Sequence, residues 1–428
     1  MELRFRCKQS EVGVIPTDWS APAVGDLCDF IVPGRNKPKL FDGDIPWITT
    51  PDLEDGRPVS VSRLGLCISR AEAKQVGSKI VPPESVLMSC AGELGIIALT
   101  RNEIVVNQQL HAFIPTESID SSYLMFALAS QKDRIASYGT KTAVPYLNKN
   151  ACNSIPIPLP ATLHEQRAIA SALCDVDLFL DALGRLICKK REIKQAAMQQ
   201  LLTGQTRLQG FDGEWDVKTL GELFDFSGGY SASRDQLSTE GHCYLHYGDI
   251  HGATKTFVDT AADYSTIPKL DLPLSKFSPK SLLQDGDVVF VDASEDDEGT
   301  SKHVVVVNKN NVPFISGLHT IVAKSKTDEI NHEYRRYCFQ TKAIRDQFRF
   351  YSAGMKVFGI SKTNILKLTM PVPSLDEQAT IATVLTGMDS ELEALERRLA
   401  KTRELKQAMM QELLTGKTRL VTSEAIHA

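Results

Sequence analysis

The chain contains one segment twice. Residues 165–208 align with residues 377–420 at a constant offset of 212 without a gap, and more than half of the aligned positions are identical. Repeated sequence folds into repeated structure. At 428 residues the chain is also too long for one ordinary domain. We therefore expect two domains that alternate with two copies of one helical segment.

The stretches that precede the two copies repeat only at isolated anchor positions. The anchors pair Trp19 with Trp215, 25–30 with 221–226, Asp52–Leu53 with Asp249–Ile250, Leu110–His111 with Leu318–His319, and Leu147–Lys149 with Ile360–Lys362. Between the anchors the two halves share almost nothing. This predicts an α+β protein with α/β domains at 1–160 and 209–374, each followed by a long helix, at 161–208 and 375–428. The two domains share a scaffold and differ in what it displays.

Both copies of the repeated segment have the apolar spacing of a coiled coil, with alternating three- and four-residue steps. The seam positions are Leu173, Val176, Leu180, Leu183, Ile187 and Leu201 in the first copy, and Leu385, Met388, Leu392, Leu395, Leu399, Met409 and Leu413 in the second. Lys190, Lys194 and Lys406 interrupt the seams. Because the only matching seam is its own copy, we predict an antiparallel coiled coil with an internal pseudo-two-fold axis, which would set the domains at opposite ends of a rod. Alternatively, each helix packs on its own domain.

Short β-like runs between turn signals are typical of both domains. The clearest runs are Ile45–Thr49, Ser85–Ser89, Glu103–Val106, His111–Ile114, Asp287–Val291 and His303–Val307. A helix is predicted after them in each domain, near Ser122–Tyr138 and near His332–Tyr351. Each domain should therefore combine strands with a helix.

Basic side chains cluster locally, although the chain has a net charge of -5. Lys342, Arg345 and Arg349 share one face of a predicted helix, flanked by Arg335 and Arg336, and such a stripe could neutralise phosphates. The loop 34–39 could reach base edges with its arginine and asparagine. The candidates for nucleic-acid binding are Arg35, Asn36, Lys37, Lys39, Lys141, Lys149, Arg234, Lys342, Arg345, Arg349, Lys356 and Lys362. A solvated helix face and an ordinary turn explain the same two patterns.

The sequence predicts no catalytic centre. Asp52, Glu72 and Lys74 resemble a nuclease pattern, but the second half keeps only the aspartate, as Asp249, so the match is interpreted as coincidence. The glycine-lysine-threonine at Gly416 lacks the upstream glycine of a phosphate-binding loop and is interpreted as a helix end. No motif for adenine methylation is present.

Histidines and cysteines suggest no metal site either. His242, His246 and His251 have no counterpart in the first half and fit no common ligand spacing, which favours a polar strand and loop. His111 and His319 occupy matching positions and are interpreted as scaffold histidines rather than general bases. Nine cysteines without a Cys-x-x-Cys pair indicate reduced thiols, and no apolar run is long enough to cross a bilayer. These features favour a cytoplasmic protein.

The helical copies carry the most specific motif. Each ends in Lys-Gln-x-x-Met-Gln-x-Leu-Leu-Thr-Gly-x-Thr-Arg-Leu, at 194–208 and 406–420, and each begins near a Glu-Gln pair, at Glu165–Gln166 and Glu377–Gln378. With the opening segment 11–19 and the order of the domains, this resembles the specificity (HsdS) subunits of type I restriction–modification systems. The resemblance covers the whole chain.

The resemblance implies that each domain is a target-recognition domain for one half of a split sequence in double-stranded DNA, and that the helices set the spacing between the halves. It implies two modification subunits, which methylate adenine with S-adenosylmethionine, and restriction subunits, which use ATP and Mg²⁺. No cofactor is expected on this chain itself. Two alternatives stay open: a coiled-coil protein-interaction scaffold without DNA specificity, and a nuclease that uses Asp52, Glu72 and Lys74.

Overall fold

The computed structural model describes residues 6–33, 36–253, 255–294, 301–352 and 358–421. The chain forms two compact units, one from Met1–Gly184 with Arg397–Ala428 and the other from Arg185–Glu396. Both unit boundaries fall within long helices, so each unit contains part of each helix. The boundaries drawn from the repeat, at residues 160, 208 and 374, stay a prediction about the order of segments along the chain.

The first unit is built on two sheets. Its strands are β1 (Cys7–Ser10), β2 (Gly13–Pro16), β3 (Cys28–Ile31), β4 (Ile45–Ile48), β5 (Arg57–Val59), β6 (Cys67–Ile68), β7 (Ile80–Val81), β8 (Val86–Ser89), β9 (Ile97–Thr100), β10 (Ile104–Val106) and β11 (Leu110–Pro115). Its helices are α1 (Val24–Leu27), α2 (Arg70–Gln75), α3 (Ser121–Ala129), α4 (Lys132–Ser137), α5 (Lys149–Asn153) and the first part of α6 (Leu163–Leu201). The sheet orders are β3-β11-β8-β9-β5 and β6-β4-β10-β7.

The second unit repeats this plan. Its strands are β12 (Asp216–Thr219), β13 (Phe224–Gly228), β14 (His242–Leu245), β15 (Phe257–Asp259), β16 (Lys269–Leu270), β17 (Val288–Val291), β18 (Ala293–Ser294), β19 (His303–Val307), β20 (Phe314–Ser316), β21 (Thr320–Ser325), β22 (Phe358–Gly359) and β23 (Thr369–Val372). Its helices are α7 (Leu220–Leu223), α8 (Tyr247–His251), α9 (Arg335–Cys338), α10 (Lys342–Tyr351), α11 (Lys362–Ile365) and the first part of α12 (Leu375–Leu413). The order β13-β21-β17-β19-β15 matches that of the first unit strand for strand, and β16-β14-β20 matches β6-β4-β10. In place of a counterpart of β7, the described residues of the second unit have an isolated bridge between Leu282 and Ile315.

The central strands of each unit are buried on both faces. Along β8, Val86 and Met88 point into a core shared with the helices, whereas Leu87 points into a core between the two sheets. Alternate residues of a strand face opposite ways, so a strand covered on both sides is apolar throughout. In the second unit β17 separates two cores in the same way. The predicted strand runs are confirmed to within a residue or two.

The prediction of one continuous helix in each domain was wrong, because the structure has two short helices in its place. The first is divided into α3 and α4 at Ser130 and Gln131, whose side chains donate to the carbonyl of Ala127 at 2.9 and 3.2 Å. Such bonds offer the backbone an alternative to continuing the helix. The second is divided into α9 and α10, where Thr341 caps the new helix by accepting the amide of Ile344.

Within each unit the long helices run antiparallel, as the seams predicted. In the first unit Lys406 of α12 pairs with Asp177 of α6 at 2.7 Å. In the second unit Lys194 of α6 pairs with Asp389 of α12. The two pairs occupy equivalent positions of the repeat, so the lysines that interrupt the seams meet carboxylates of the opposite helix. A polar pair inside a coiled coil sets its register.

Arginine–glutamate pairs join the helix ends within each unit. Arg419, beyond the end of α12, donates to Glu165 at the start of α6, and both side chains are almost fully buried. In the second unit Arg207, beyond the end of α6, donates to both oxygens of Glu377 at 2.6 and 2.7 Å. The arginine of the Thr-Arg-Leu motif and the glutamate of the Glu-Gln motif therefore act together.

The glutamines of the Glu-Gln motif attach each helix to its own domain. Gln166 accepts the amide of Asp120 at 2.9 Å, which is the capping residue of α3. Gln378 accepts the amide of Asn331 at 2.8 Å and donates to the carbonyls of Glu329 and Pro373. The motif that carried the family resemblance is thus the joint between helix and domain.

Candidate nucleic-acid interface

The strand registers define which residues of the two units are equivalent. Phe113 of β11 pairs with Phe30 and Val86, and Ala323 of β21 pairs with Phe226 and Val288. Because both neighbouring strands give the same answer, Phe113 is the counterpart of Ala323.

This register corrects one anchor of the repeat. His111 is the counterpart of Ile321, and His319 is the counterpart of Gln109, so the match between the two histidines was wrong by two residues. The loops differ in length between the copies, and a short Leu-His match cannot reveal the shift.

Three separate segments meet at one point in each unit through the same backbone hydrogen bonds. In the first unit Cys90 donates to the carbonyl of Gln109 at 2.7 Å, and Leu147 donates to the carbonyl of Cys90 at 2.8 Å. In the second unit Asp292 donates to His319 at 3.1 Å, and Ile360 donates to Asp292 at 2.9 Å. The scaffold therefore brings the same three positions together twice.

A fourth segment is held beside this point by a capping box. The backbone amide of Thr49 donates to Asp52 at 2.7 Å, and the backbone amide of His246 donates to Asp249 at 3.1 Å. The following residue, Thr50 or Tyr247, is thereby placed next to the meeting point. We name the side chains at this point the junction cluster: Thr50, Cys90, Asn107 and Gln109 in the first unit, and Tyr247, Asp292, Gly317 and His319 in the second.

The capping boxes also explain the repeated aspartates and remove the nuclease interpretation. Asp52 accepts the amides of Thr49 and Arg63 at 2.7 Å each. Glu72 accepts the amide of Lys39 at 2.6 Å and is 4% exposed. Both carboxylates are occupied by backbone donors, so they hold loops in place.

His242, His246 and His251 do not form a metal site. Among the described residues, no group of three or more histidine, cysteine or acidic side chains could hold a metal ion. His246 instead caps α8 by accepting the amide of Gly248 at 3.1 Å. Burial lowers the pKa of His111 to about 4, against a raising contribution from its contact with Asn153. Burial also lowers the pKa of His303 to about 4. Both are neutral scaffold histidines at pH 7.

Lys149 and Lys362 lie beside the junction cluster in both units. Each is the first residue of a short helix, and the segment that precedes each donates the amide to Cys90 or Asp292 described above. Lys149 extends over the ring of Phe30 at 4.3 Å and is exposed. These two predicted residues are therefore equivalent in structure as well as in sequence.

The other predicted residues are distributed more widely. Arg234 lies 4.0 Å from Asp249, near the junction cluster of the second unit. Lys37 lies over the ring of Trp47 at 5.7 Å, and Asn36 donates to the carbonyl of Val76 at 3.4 Å. Lys39 and Lys141 are exposed. Arg35 and Lys356 lie outside the described residues.

The basic stripe forms on α10, as its spacing predicted, but carboxylates accompany it. Lys342 pairs with Asp346 at 2.6 Å, and Arg349 lies 3.9 Å from the same aspartate. The stripe, with Arg345, lines a cleft of about 1350 Å³ in the second unit, whose wall also includes Glu393 and Glu396. This mixed charge reduces the attraction for phosphates.

Arg335, expected to flank the stripe, is 3% exposed and donates to the carbonyls of Gly286 and Ile330 at 2.6 and 2.8 Å. That expectation was wrong, because the guanidinium is committed to buried backbone acceptors.

The sequence patterns did not single out Thr50, Gln109 and Tyr247, which the structure places in the junction cluster. Thr50 begins a single 3-10 turn, Tyr247 begins the short helix α8 and Gln109 lies in a turn, so none of them is in a segment long enough to show periodicity. Only contacts between distant segments identify them. The described helices include none that is long and apolar enough to span a membrane.

Comparison with known proteins places the chain in a family. The family model of the type I restriction modification DNA specificity domain matches residues 16–190 and 212–402. The MjaVIII specificity subunit of a type I restriction enzyme from Methanocaldococcus jannaschii is 24% identical, over 95% of this chain and 94% of its own. The putative MjaX specificity subunit from the same organism is 23% identical, over 97% of each chain.

A solved structure has the same fold. The S subunit of a type I restriction-modification system from M. genitalium superposes with a TM-score of 0.55 at 15% identity, over 95% of this chain and 97% of its own. Since the family model matches both halves of the sequence and the two units repeat one topology, this chain belongs to the family of type I restriction–modification DNA specificity domains and carries two of them.

Proposed function

We propose that this chain is the specificity subunit of a type I restriction–modification complex and that it reads a split target in double-stranded DNA, one half with each unit. The family supplies DNA recognition rather than catalysis. The observation that carries the proposal is the repeated junction: one backbone scaffold displays Thr50 and Gln109 in one unit and Tyr247 and His319 in the other. Two copies of a scaffold with different exposed side chains suit the recognition of two different half-sites.

The proposal divides the contacts to DNA into two kinds. Contacts to phosphates position a protein on the duplex, whereas contacts to base edges carry sequence information. Lys149 and Lys362 are shared by the two units and suit the first kind. Arg234, Asn36, Lys37, Lys39, Lys141 and the stripe on α10 remain proposed contacts, together with Arg35 and Lys356.

The chemistry belongs, in this proposal, to partner subunits. Two modification subunits methylate adenine with S-adenosylmethionine, and restriction subunits use ATP and Mg²⁺, in the cytoplasm. Within each unit the arginine–glutamate joint links the two long helices at their ends, which supplies a defined helical surface on which such subunits can assemble.

The test is co-expression of the chain with its modification subunits in a host that lacks adenine methylation, followed by mapping of N6-methyladenine. The expected result is a two-part motif with a modified adenine in each part. The control is the modification subunits without this chain, which should leave the genome unmethylated. A complex that forms but modifies no defined sequence would refute the proposal.

The alternative of a coiled-coil interaction scaffold makes a different prediction. A scaffold would bind its partners and show no preference among DNA sequences. Exchange of residues 1–160 for those of another family member separates the two functions, because only a specificity subunit would then acquire a new first half-site while keeping the second.

A further inference from the structure

The two units differ at the junction cluster while the lysine beside it stays the same. The counterparts are Thr50 and Tyr247, Gln109 and His319, and Cys90 and Asp292, by the capping boxes and backbone bonds described above. Phosphates are identical along DNA, whereas base edges are not, so a side chain that reads bases should differ between two units that read different half-sites. Comparison of the two units of this chain therefore distinguishes side chains that contact base edges from side chains that contact phosphates.

Gln109 is exposed and its side chain is held by two donors. Its Oε1 accepts the hydroxyl of Thr50 at 3.4 Å and the side-chain amide of Asn107 at 3.2 Å. Because Oε1 accepts both hydrogen bonds, the two N–H groups of the Nε2 amide are left to donate to a ligand. An amide NH2 held in this way selects a hydrogen-bond acceptor, such as N7 or O6 of guanine.

His319 is held differently at the same position. Its Nδ1 lies 3.3 Å from a carboxylate oxygen of Asp292, and its ring meets the ring of Tyr247 edge-on, with centroids 5.5 Å apart. Its backbone is in the left-handed region at φ 57°. Because the Nδ1 side of the ring faces the carboxylate, Nε2 is the ring nitrogen that is left to contact a base edge.

We infer that Gln109 and His319 are specificity-determining residues, one for each half-site, and that Thr50 with Asn107 and Tyr247 with Asp292 position them. The inference rests on the proposed function and adds the residues and the hydrogen-bond polarity that select the bases. Gln109 selects a hydrogen-bond acceptor in the major groove, and His319 contacts a base there through Nε2.

The variant Gln109→Glu isolates this polarity. Glutamate can still accept hydrogen bonds from Thr50 and Asn107, and it replaces only the amide NH2 with an oxygen. The variant should therefore prefer a base that presents a hydrogen-bond donor at one position of one half-site. Gln9→Glu, at an exposed glutamine of β1 in the same unit and with the same charge change, is the matched control and should leave the motif unchanged. The measurement is selection from a randomised duplex library by the complex of this chain with its modification subunits.

The wild-type complex should select a two-part motif, and Gln109→Glu should change one base pair of one part, with affinity for the original site reduced about 5- to 150-fold, which is typical of a single mismatch. His319→Gln, which exchanges the imidazole for a primary amide, should change one base pair of the other part only. Thermal unfolding of each variant shows whether the fold is intact.

The outcomes distinguish this inference from the function on which it rests. A two-part wild-type motif that neither folded variant alters would overturn the assignment of Gln109 and His319 and leave the proposed function standing. A uniform loss of affinity without a change of motif would show that both residues contact phosphates, and it would also overturn the assignment. The absence of any wild-type motif would overturn the proposed function, and the inference with it.

Discussion

Arg419→Met should be among the most destabilising single substitutions in the first unit. The Arg419 side chain is 2% exposed and that of Glu165 is 1% exposed. The guanidinium also donates to Asp18 at 3.2 and 3.0 Å and lies 5.7 Å from the centre of the Trp19 ring. Methionine fills part of the volume and leaves Glu165 as a buried carboxylate without its cation.

The magnitude follows from this geometry. Removal of one partner of a buried ion pair costs about 3–5 kcal/mol. In a unit of about 200 residues, each kcal/mol lowers the Tm by about 2–4 °C, so the expected decrease is about 6–20 °C. The double variant Arg419→Met with Glu165→Gln should recover part of the loss, because the isolated charge is gone.

The second unit provides a matched control. Arg207→Met removes the equivalent cation, but Glu377 keeps a hydrogen bond of 2.9 Å from the indole nitrogen of Trp215, and Arg207 is 24% exposed. The loss should therefore be smaller. Urea unfolding followed by circular dichroism and by tryptophan fluorescence measures both variants. A loss below about 1 kcal/mol for Arg419→Met, or an equal loss for Arg207→Met, would refute the reasoning from burial.

Three further predictions concern the helices, pH and the basic stripe. In a double-mutant cycle on the Lys406–Asp177 pair, Lys406→Met and Asp177→Leu should each destabilise the chain more than their combination does, and additive losses would show that the pair is uncoupled. The pKa of His111 in the folded chain, about 4, is below its usual 6.5. The contribution of His111 to the free energy of unfolding is therefore complete above about pH 6.5 and decreases by about 3 kcal/mol as the pH falls to about 4. Urea unfolding from pH 4 to 7 should show that the free energy of unfolding changes less steeply with pH for His111→Gln. Arg345→Ala and Arg349→Ala should each weaken DNA binding by the complex at every sequence and lower the salt slope by about 1, whereas a loss confined to one base position would make either residue a reader.

Much of the architecture could be predicted from the sequence because it depends on local or repeated patterns. The seam that includes Leu173 and Leu385 follows from residue spacing alone, and both residues are fully buried in the structure. The antiparallel pairing followed from the repeat, because each seam had only its own copy as a match. Lys194 and Lys406 appeared only as interruptions, since their partners lie about 200 residues away in the chain.

The sequence by itself determined that this protein is a duplicated chain of two domains and two long helices, and its Glu-Gln and Thr-Arg-Leu motifs pointed to the family. Only the tertiary structure decided that Gln109, and not His111, is the counterpart of His319. The offset between the copies grows from 196 at α1 and α7 to 213 near α5 and α11, because the intervening loops differ in length. Strand register and the hydrogen bonds among distant segments are non-local, so they define the junction cluster where local sequence similarity has disappeared.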